Sequence, residues 1–329
     1  MPTSSIETGP ERSLRRRLTR RGLALAARKM LGPVVLVIGL LVVFTVSGWV
    51  VPPYLFLLAL ALPLIGIALV AGRKDRLTWT AYILGFVAFA YLRAVADGTP
   101  IPVAYDYVIV ADRWLGGGVV PTVAMQARFY ELGNPSVWDY YTLLTHFTYF
   151  FVPHLFAFAL WNHNRGLFRR YVVSALATYY VGLVACVLLP TAPPWLAGQT
   201  GALAHVFRIA EDVYAGASVE AYDYAYAVAG TNAVAAMPSL HQAIAALIAL
   251  ATMRIHPVAA ALGWAYAITM GVALVYTGEH YVVDLLAGVL LAWGVWRVVN
   301  RPARGAQSCE ESSGTSGAGR RGSVTARTR

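Results

Sequence analysis

The chain has 329 residues, of which 58% are hydrophobic and only 13% are charged. A soluble globular protein carries about a quarter charged residues, so this composition excludes an ordinary soluble domain and predicts a polytopic membrane protein. The net charge of +10 does not indicate nucleic-acid binding, because the basic residues concentrate at the amino terminus, in short loops and in the tail, as membrane topology requires.

Long apolar runs predict an all-α fold. A helix needs about 20 apolar residues to cross a bilayer, and runs of roughly that length occur at 33–50, 53–72, 77–95, 138–161, 171–190, 236–253, 257–276 and 280–298. We therefore predict a polytopic membrane helix bundle of about eight transmembrane helices. A basic cytoplasmic arm (1–32) precedes a transmembrane hairpin (33–76), a six-helix core (77–300) and a disordered tail rich in Ser, Gly and Arg (301–329).

Two long segments between the predicted spans are expected to do more than connect them. Residues 98–137 contain three glycines at 116–118 ahead of Pro121 and predict an interfacial or re-entrant helix that caps the bundle. Residues 191–235 begin close to a Pro-Pro-Trp sequence at 193–195. A loop of this length is often a lid or binding element, the alternative being a partly ordered linker. Trp195 is expected as an aromatic belt anchor or a rim contact for lipid.

The charges of the predicted loops indicate the orientation of the bundle. Basic residues lie on the same side as the amino-terminal arm, namely Arg73, Lys74, Arg76, Arg165, Arg169, Arg170, Arg254, Arg297, Arg301 and Arg304. The opposite side carries mainly acids, among them Asp97, Asp106, Asp139, Glu211, Asp212, Glu220 and Asp223. By the positive-inside rule the basic side is cytoplasmic. We predict a multi-pass protein of the cell membrane with both termini in the cytoplasm.

Two histidine motifs are predicted to meet at the extracytoplasmic ends of the spans. The first is Met-Pro-Ser-Leu-His at 237–241, where the Pro-Ser pair predicts a helix start. In the second, Glu-His-Tyr-Val-Val-Asp at 279–284, a helix would put His280 and Asp284 on one face, so that the carboxylate holds one imidazole nitrogen. His241 starts one predicted span and His280 another, at the same membrane surface. A carboxylate-held histidine beside a second histidine indicates transfer chemistry.

These motifs carry a family resemblance. The sequences at 238–241 and 280–284 resemble the second and third signature motifs of the type 2 phosphatidic acid phosphatase superfamily. Pro-Thr-Ala-Pro-Pro-Trp at 190–195 and Glu-His-Tyr at 279–281 resemble its inositol phosphorylceramide synthase-like branch, and the whole resemblance covers roughly residues 90–295. It implies that His280 attacks phosphorus to form a phosphohistidine, Asp284 orients His280, and His241 protonates the leaving alkoxide, without a metal or other cofactor.

The first signature motif of the superfamily, a lysine followed by Arg-Pro, is absent from the expected place. A phosphate dianion still needs cationic and N–H donors. Arg93 is the preferred ligand, because a charge near the outer end of a span is costly without a task; an ion pair with Asp97 is the alternative. The other expected substrate contacts are Ser239 with the amides beside it, Arg113 and Tyr281.

Together these features predict an integral membrane lipid phosphatase or phosphotransferase. Its substrate is a lipid phosphate or phosphodiester that arrives from the bilayer, and its acceptor is water or a polar alcohol, inositol in the synthase-like alternative. A proton-coupled transporter is disfavoured because the titratable groups cluster at one face. A scaffold without chemistry is disfavoured because the catalytic residue types are present. No nucleic-acid partner is expected.

The remaining histidines receive weaker assignments. His146 and His154, on the predicted span 138–161, are interpreted as packing or interfacial residues rather than catalysts. His205 shares the outer face, so a metal site formed with His241 and His280 is an alternative. No compact ligand spacing supports that site.

Overall fold

The computed structural model describes residues 62, 64–69, 71–94, 96, 100–204, 206–215 and 232–301. The predicted basic arm, most of the predicted hairpin, His205 and the tail beyond residue 301 lie outside the described residues. Within the described ranges the chain forms helices and no strand, and two isolated bridges tie Thr191 to Ala104 and to Ala235. The predicted all-α fold is confirmed.

The helices are numbered here in chain order. They are Arg73–Ala94 (α1), Asp106–Leu115 (α2), Pro121–Phe129 (α3), Val137–Phe147 (α4), Val152–His163 (α5), Arg165–Leu188 (α6), Pro194–Gln199 (α7), Ile209–Ala215 (α8), Leu240–Thr252 (α9), Pro257–Tyr276 (α10) and Val282–Val299 (α11), with a 3-10 turn at Thr148–Phe150.

Several helices are suited to a bilayer. α6, α10 and α11 are long and apolar enough to cross a membrane, and α4 with α5 would make a further span if the bent pair is counted as one. α1 is 22 residues long and covers residues 77–94 of the predicted span 77–95. The predicted spans 33–50 and 53–72 fall outside the described residues, except for residue 62, the helical residues 64–69 and residues 71–72. These helices support a membrane-embedded protein.

α9 lies at the centre of the bundle and carries the first histidine motif. It packs against α6, α10 and α11, and nearly all of its residues are buried. A helix that is apolar on all sides is expected in such a position. Its 13 residues extend roughly 20 Å, which is short of the roughly 30 Å of a bilayer core. The prediction of a full span at 236–253 is therefore wrong in length, because the helix begins only after Ser239.

The predicted continuous span 138–161 is broken. α4 and α5 meet at 51° across the 3-10 turn. The Thr148 hydroxyl donates to the Thr145 carbonyl at 2.6 Å, and Pro153 occupies the first turn of α5, where a missing N–H is tolerated. Hydropathy cannot reveal such a break, because both halves are apolar. The bend leaves His146 in the last turn of α4.

The two ends of the bundle differ in chemistry. At one end Asp75 of α1 forms ion pairs with Arg165 and Arg169 of α6, at 2.5 and 2.9 Å. At the other end of α6, the Cys186 thiol lies 3.5 Å from the Met237 carbonyl in the first histidine motif. Arg165 and Cys186 are 21 positions apart in one helix, a rise of roughly 32 Å. That rise matches a bilayer core, so the arginine cluster and the histidine motifs lie about one membrane thickness apart.

Short helices cover the histidine end of the bundle. α2 packs against α11, and α3 packs against α10, so the segment 98–137 forms two short helices where an interfacial element is predicted. Gln126 of α3 donates to the carbonyls of Phe207 and Tyr276, both at 2.9 Å. Trp195 of α7 is only 6% exposed. The prediction of Trp195 as a belt anchor or lipid rim is therefore wrong, since the ring packs inside this cover.

Candidate active site

The first histidine motif forms the start of α9. The Met237–Pro238 peptide bond is cis. The Ser239 hydroxyl accepts a hydrogen bond from the Gln242 N–H at 3.2 Å, the usual arrangement of a serine that caps a helix. The cap fixes the first turn of α9, which carries His241. The helix start predicted at the Pro-Ser pair is confirmed.

The second histidine motif begins in the turn between α10 and α11. The N–H groups of Glu279 and His280 both point to the Leu274 carbonyl, at 3.0 and 3.2 Å. Asp284 lies in the first turn of α11, where its carboxylate accepts the Tyr281 N–H at 2.8 Å. This side-chain cap starts the helix after Tyr281. His280 therefore precedes the helix, and the prediction that His280 and Asp284 share a helical face is wrong. The turn brings them together instead.

Asp284 contacts the imidazole of His280. Nδ1 of His280 lies 3.5 Å from Oδ2 of Asp284, an ion-pair distance at the outer limit of a hydrogen bond. Both residues are buried, and among the described residues neither Nδ1 of His280 nor Oδ1 of Asp284 forms a hydrogen bond of good geometry, so the contact between them is electrostatic. The carboxylate therefore favours a proton on Nδ1 and leaves Nε2 of His280 free to face the other histidines.

Backbone contacts hold the two motifs against each other. The Ser239 N–H donates to the Asp284 carbonyl at 3.0 Å. α11 approaches the start of α9 closely at Gly288, where a Cβ atom would collide with the Ser239 carbonyl oxygen and lie 3.2 Å from the Ala243 nitrogen. A residue without a side chain at this position permits the close approach. His241 and His280 are thus positioned by main-chain contacts rather than by long side chains.

Three imidazoles form a chain at this junction. Nε2 of His280 lies 3.2 Å from Nδ1 of His241, and Nε2 of His241 lies 3.3 Å from Nε2 of His146. His280 is 5% exposed, whereas His241 and His146 are half-buried. His146, interpreted from the sequence as a packing or interfacial residue, thus lies in contact with a motif histidine. His154 does pack in the core, where its Nδ1 contacts the Tyr82 hydroxyl at 2.9 Å.

The histidines are a chain and not a convergent ligand set. His241 uses opposite ring nitrogens for its two neighbours, so the three imidazoles cannot direct lone pairs at one point as a zinc site requires. Among the described residues, no group of three or more His, Cys, Asp or Glu side chains has a metal-binding arrangement. His205, the third ligand of the alternative metal site, lies outside them.

The charge of Arg93 acts on several residues at or beside this site. Arg93 is half-buried, and its charge acts on His146, His241, Tyr149 and Cys186. No carboxylate within the described ranges lies at ion-pair distance from Arg93, and the alternative partner Asp97 falls outside those ranges. Arg113 instead lines a hollow on α2 with Val110, Trp114, Gly117 and Gly118.

A second cation, Arg208, is held beside the site. Its guanidinium forms ion pairs with Glu279 at 3.1 Å and Glu211 at 3.5 Å, and it stacks on the Trp195 ring at 4.2 Å. Burial raises the pKa of the Glu279 carboxyl, but the charges of Arg208 and His146 outweigh burial and the pKa is lowered. Glu279 is therefore ionised beside His146. No motif in the sequence indicated this pair.

Ser239 and Tyr281 support the motifs. Both side chains are fully buried; the Ser239 hydroxyl caps α9 and the Tyr281 N–H is bound by Asp284. Burial also raises the pKa of the Tyr281 hydroxyl. The predicted contact of these two residues with substrate stays a prediction, as does that of Arg113.

Asp112 of α2 supports the start of α11 from the other side. Its carboxylate accepts the Val283 N–H at 3.0 Å and is fully buried. Burial raises the pKa of Asp112 to about 6; the Val283 N–H opposes this rise and the Asp284 charge adds to it. The sequence did not indicate this role for Asp112, because a single acid beside Arg113 gives no distinguishing signal.

Most of the described chain matches a known protein family. The PAP2 superfamily profile matches residues 106–298, more than half of the chain, and this range contains both histidine motifs and His146. The chain belongs to the PAP2 superfamily. Membership supports an enzyme with a lipid-phosphatase type of function, while the synthase-like branch stays a prediction. No curated protein and no solved structure matches the chain.

Proposed function

We propose that this PAP2 superfamily protein cleaves a phosphoester of a membrane lipid through a phosphohistidine, without a metal ion. The observation that carries the proposal is the pair of contacts made by His280: Nδ1 with Asp284 and Nε2 with His241. A neutral imidazole with a carboxylate at one nitrogen is a nucleophile at the other. The imidazole of His241 lies beside Nε2 of His280, where it can reach the leaving group of a bound substrate.

The reaction would proceed in two displacements. Nε2 of His280 attacks phosphorus, the bond from phosphorus to the lipid oxygen breaks, and that oxygen takes a proton from His241. Asp284 stabilises the positive charge that develops on His280. Water or an alcohol then gives its proton to His241 while its oxygen attacks the phosphohistidine, and His280 is released.

Substrate binding must separate the two histidines. Their nitrogens are 3.2 Å apart, a hydrogen-bond distance with no room for a phosphoryl group between them. His241 is half-buried while His280 and Asp284 are buried. We therefore expect the His241 side chain to move and the His280–Asp284 pair to stay in place.

The proposed substrate is a lipid phosphate or phosphodiester, and the proposed site faces the extracytoplasmic side of the cell membrane. Arg93 is the proposed phosphate ligand, supported by the effect of its charge on His146 and His241. The acceptor is water in a phosphatase, or a polar alcohol such as inositol in a synthase. The sequence at 190–195 and Glu-His-Tyr at 279–281 support the second reading by resemblance.

The decisive experiment compares His280→Ala with His163→Ala in purified, lipid-reconstituted protein. His163 is an exposed histidine at the cytoplasmic end of α5, as the charge pattern predicts. Phosphate release from a panel of lipid phosphates and transfer to labelled inositol are measured in parallel. We expect His280→Ala to abolish both activities at normal expression, and His163→Ala to retain them. Unchanged turnover in His280→Ala rejects the mechanism.

Two inhibitors test the chemistry independently. Vanadate should inhibit the wild type, because it resembles the pentacoordinate phosphorus of the displacement. EDTA should leave turnover unchanged. Complete loss of activity in EDTA, restored by a divalent metal, would favour a metal-dependent reaction instead.

A further inference from the structure

His146 occupies the end of the histidine chain. It lies in the last turn of α4, with its ring nearly perpendicular to that of His241 at a centroid distance of 4.7 Å. Its Nε2 faces Nε2 of His241, while Nδ1 of His241 faces His280. Among the described residues, His146 is thus the group in contact with Nε2 of His241, the nitrogen that points away from the nucleophile His280.

The chain of contacts fixes the direction of its protons. The Asp284 carboxylate only accepts, so His280 carries its proton on Nδ1 and has a lone pair on Nε2. His241 must then donate from Nδ1, and a neutral His241 has a lone pair on Nε2. That lone pair needs a donor, so His146 carries its proton on Nε2.

This arrangement poses a problem for a lone general acid. When Nδ1 of a neutral His241 gives its proton to the leaving oxygen, the ring becomes an imidazolate unless Nε2 holds a proton. The group in contact with Nε2 is His146. Whether His241 can act as an acid is therefore decided at the contact between these two nitrogens.

We propose, on the basis of the function proposed above, that His146 and His241 together form the general acid by sharing one additional proton. In the charged pair, His241 carries protons on Nδ1 and Nε2, and His146 carries one on Nδ1. The Nδ1 proton of His241 passes to the lipid oxygen as its bond to phosphorus breaks. His241 then keeps the Nε2 proton, which forms a hydrogen bond to the lone pair on Nε2 of His146, so both rings end neutral.

Surrounding charges determine where the extra proton can reside. The groups that act on His146 or His241 are Glu279, Arg208, Arg93 and His280, and the Tyr149 ring lies 4.3 Å from His241. Burial is the largest influence and opposes a charge on either ring, and His280 and the two arginines oppose it further, whereas ionised Glu279 favours a charged His146. A bound phosphate dianion adds negative charge, so the pair takes up its proton with substrate. His146 acts through His241 and is a positioning residue.

The test uses leaving groups of different basicity. An alkyl phosphate releases an alkoxide that needs a proton, whereas a nitrophenyl phosphate with the same alkyl chain releases a phenolate that does not. The parameter to compare is kcat/KM, because it reports only the steps from substrate binding to the release of the leaving group. Hydrolysis of the phosphohistidine comes later and does not affect it. A defect in the acid therefore lowers kcat/KM for the alkyl ester alone.

We expect His146→Phe to lower kcat/KM for the alkyl phosphate on the order of 10²-fold, as loss of acid catalysis does, with a change of less than about threefold for the nitrophenyl phosphate. His146→Gln can hydrogen bond to His241 but cannot carry the proton. It should lose less, with the alkaline limb of the alkyl-phosphate pH profile moved to lower pH. The double variant with His241→Phe should be no slower than His241→Phe alone.

His154→Phe is the matched control, a buried histidine outside the chain, and any effect should be equal for the two esters. Equal losses for both esters in His146→Phe, or no loss for either, overturn the proposal and leave the proposed function intact. A wild type that cleaves neither ester faster than His280→Ala overturns the proposed function, and this proposal with it.

Discussion

Arg93 and Arg113 are both predicted from the sequence as phosphate ligands, and the structure separates them. The charge of Arg93 acts on His146 and His241, whereas Arg113 borders the hollow on α2. A cation helps a phosphate dianion only over a short distance, because water screens exposed charges. The reach of its charge therefore favours Arg93 over Arg113 as the proposed replacement for the missing signature motif.

Arg93→Ala should lower kcat/KM by on the order of 10- to 100-fold, since the variant loses a hydrogen bond to a charged phosphate and such a bond contributes about 1.5–3 kcal/mol. Inhibition by vanadate should weaken similarly, because vanadate uses the same ligand. Arg113→Ala should change either value by less than about threefold. Steady-state kinetics and vanadate titration check both variants. The reverse order of effects would move the phosphate site to α2.

Asp112 makes stability depend on pH. Its pKa is raised to about 6 in the folded protein, so its contribution to stability is fully present below the ordinary carboxyl pKa and is lost as pH rises through about 6. Asp112→Asn keeps an oxygen for the Val283 N–H and cannot ionise. Its stability should match that of the wild type near pH 3 and exceed it above pH 7 by on the order of 2–3 kcal/mol, which melting temperatures measured across this pH range would show. A difference that is constant with pH contradicts this account.

At the scale of helices, the motifs were predictable and their local geometry was not. The Pro-Ser start of α9 and the partnership of His280 with Asp284 follow from residue types and spacing. The turn that holds His280 outside α11 does not, because it depends on Asp284 capturing the Tyr281 N–H. A four-residue spacing fits a helix face and this cap equally well.

His146 escaped prediction for a different reason. A single histidine in an apolar run usually packs in a core, as His154 does. The break between α4 and α5 ends the helix just after His146, and tertiary packing then brings the ring to His241. The sequence offers one signal in retrospect, Pro153 in the middle of the predicted span, since proline disfavours an unbroken helix.

The close approach of α11 to α9 can be tested with two glycines of one helix. Gly288→Ala should lower both melting temperature and kcat/KM, because the added methyl would collide with the Ser239 backbone and displace the turn that carries His241. Gly294→Ala has open space at its Cβ, and it should be neutral or stabilising by up to about 1 kcal/mol. Equal effects of the two substitutions would show that the contact does not position the site.

For the whole molecule, the sidedness of the bundle links the fold to its substrate. The histidine motifs and the Asp75–Arg165–Arg169 cluster lie at opposite ends of α6. Basic clusters of short loops stay in the cytoplasm, which would direct the histidines outward. A site facing outward acts on lipid in the outer leaflet of a cell membrane, so the orientation determines which lipid pool the enzyme can reach.

Cysteine labelling of intact cells tests this orientation. In a Cys309→Ser background the remaining native thiol, Cys186, is buried. Arg113→Cys places a thiol on exposed α2 at the histidine end, and Arg170→Cys places one at the exposed start of α6. A membrane-impermeant maleimide should label Arg113→Cys in intact cells and Arg170→Cys only after lysis. Since the two ends are about one bilayer thickness apart, one reagent cannot reach both without crossing the membrane. Labelling in the opposite order would put the site in the cytoplasm and replace the outer leaflet with the inner one as the source of substrate.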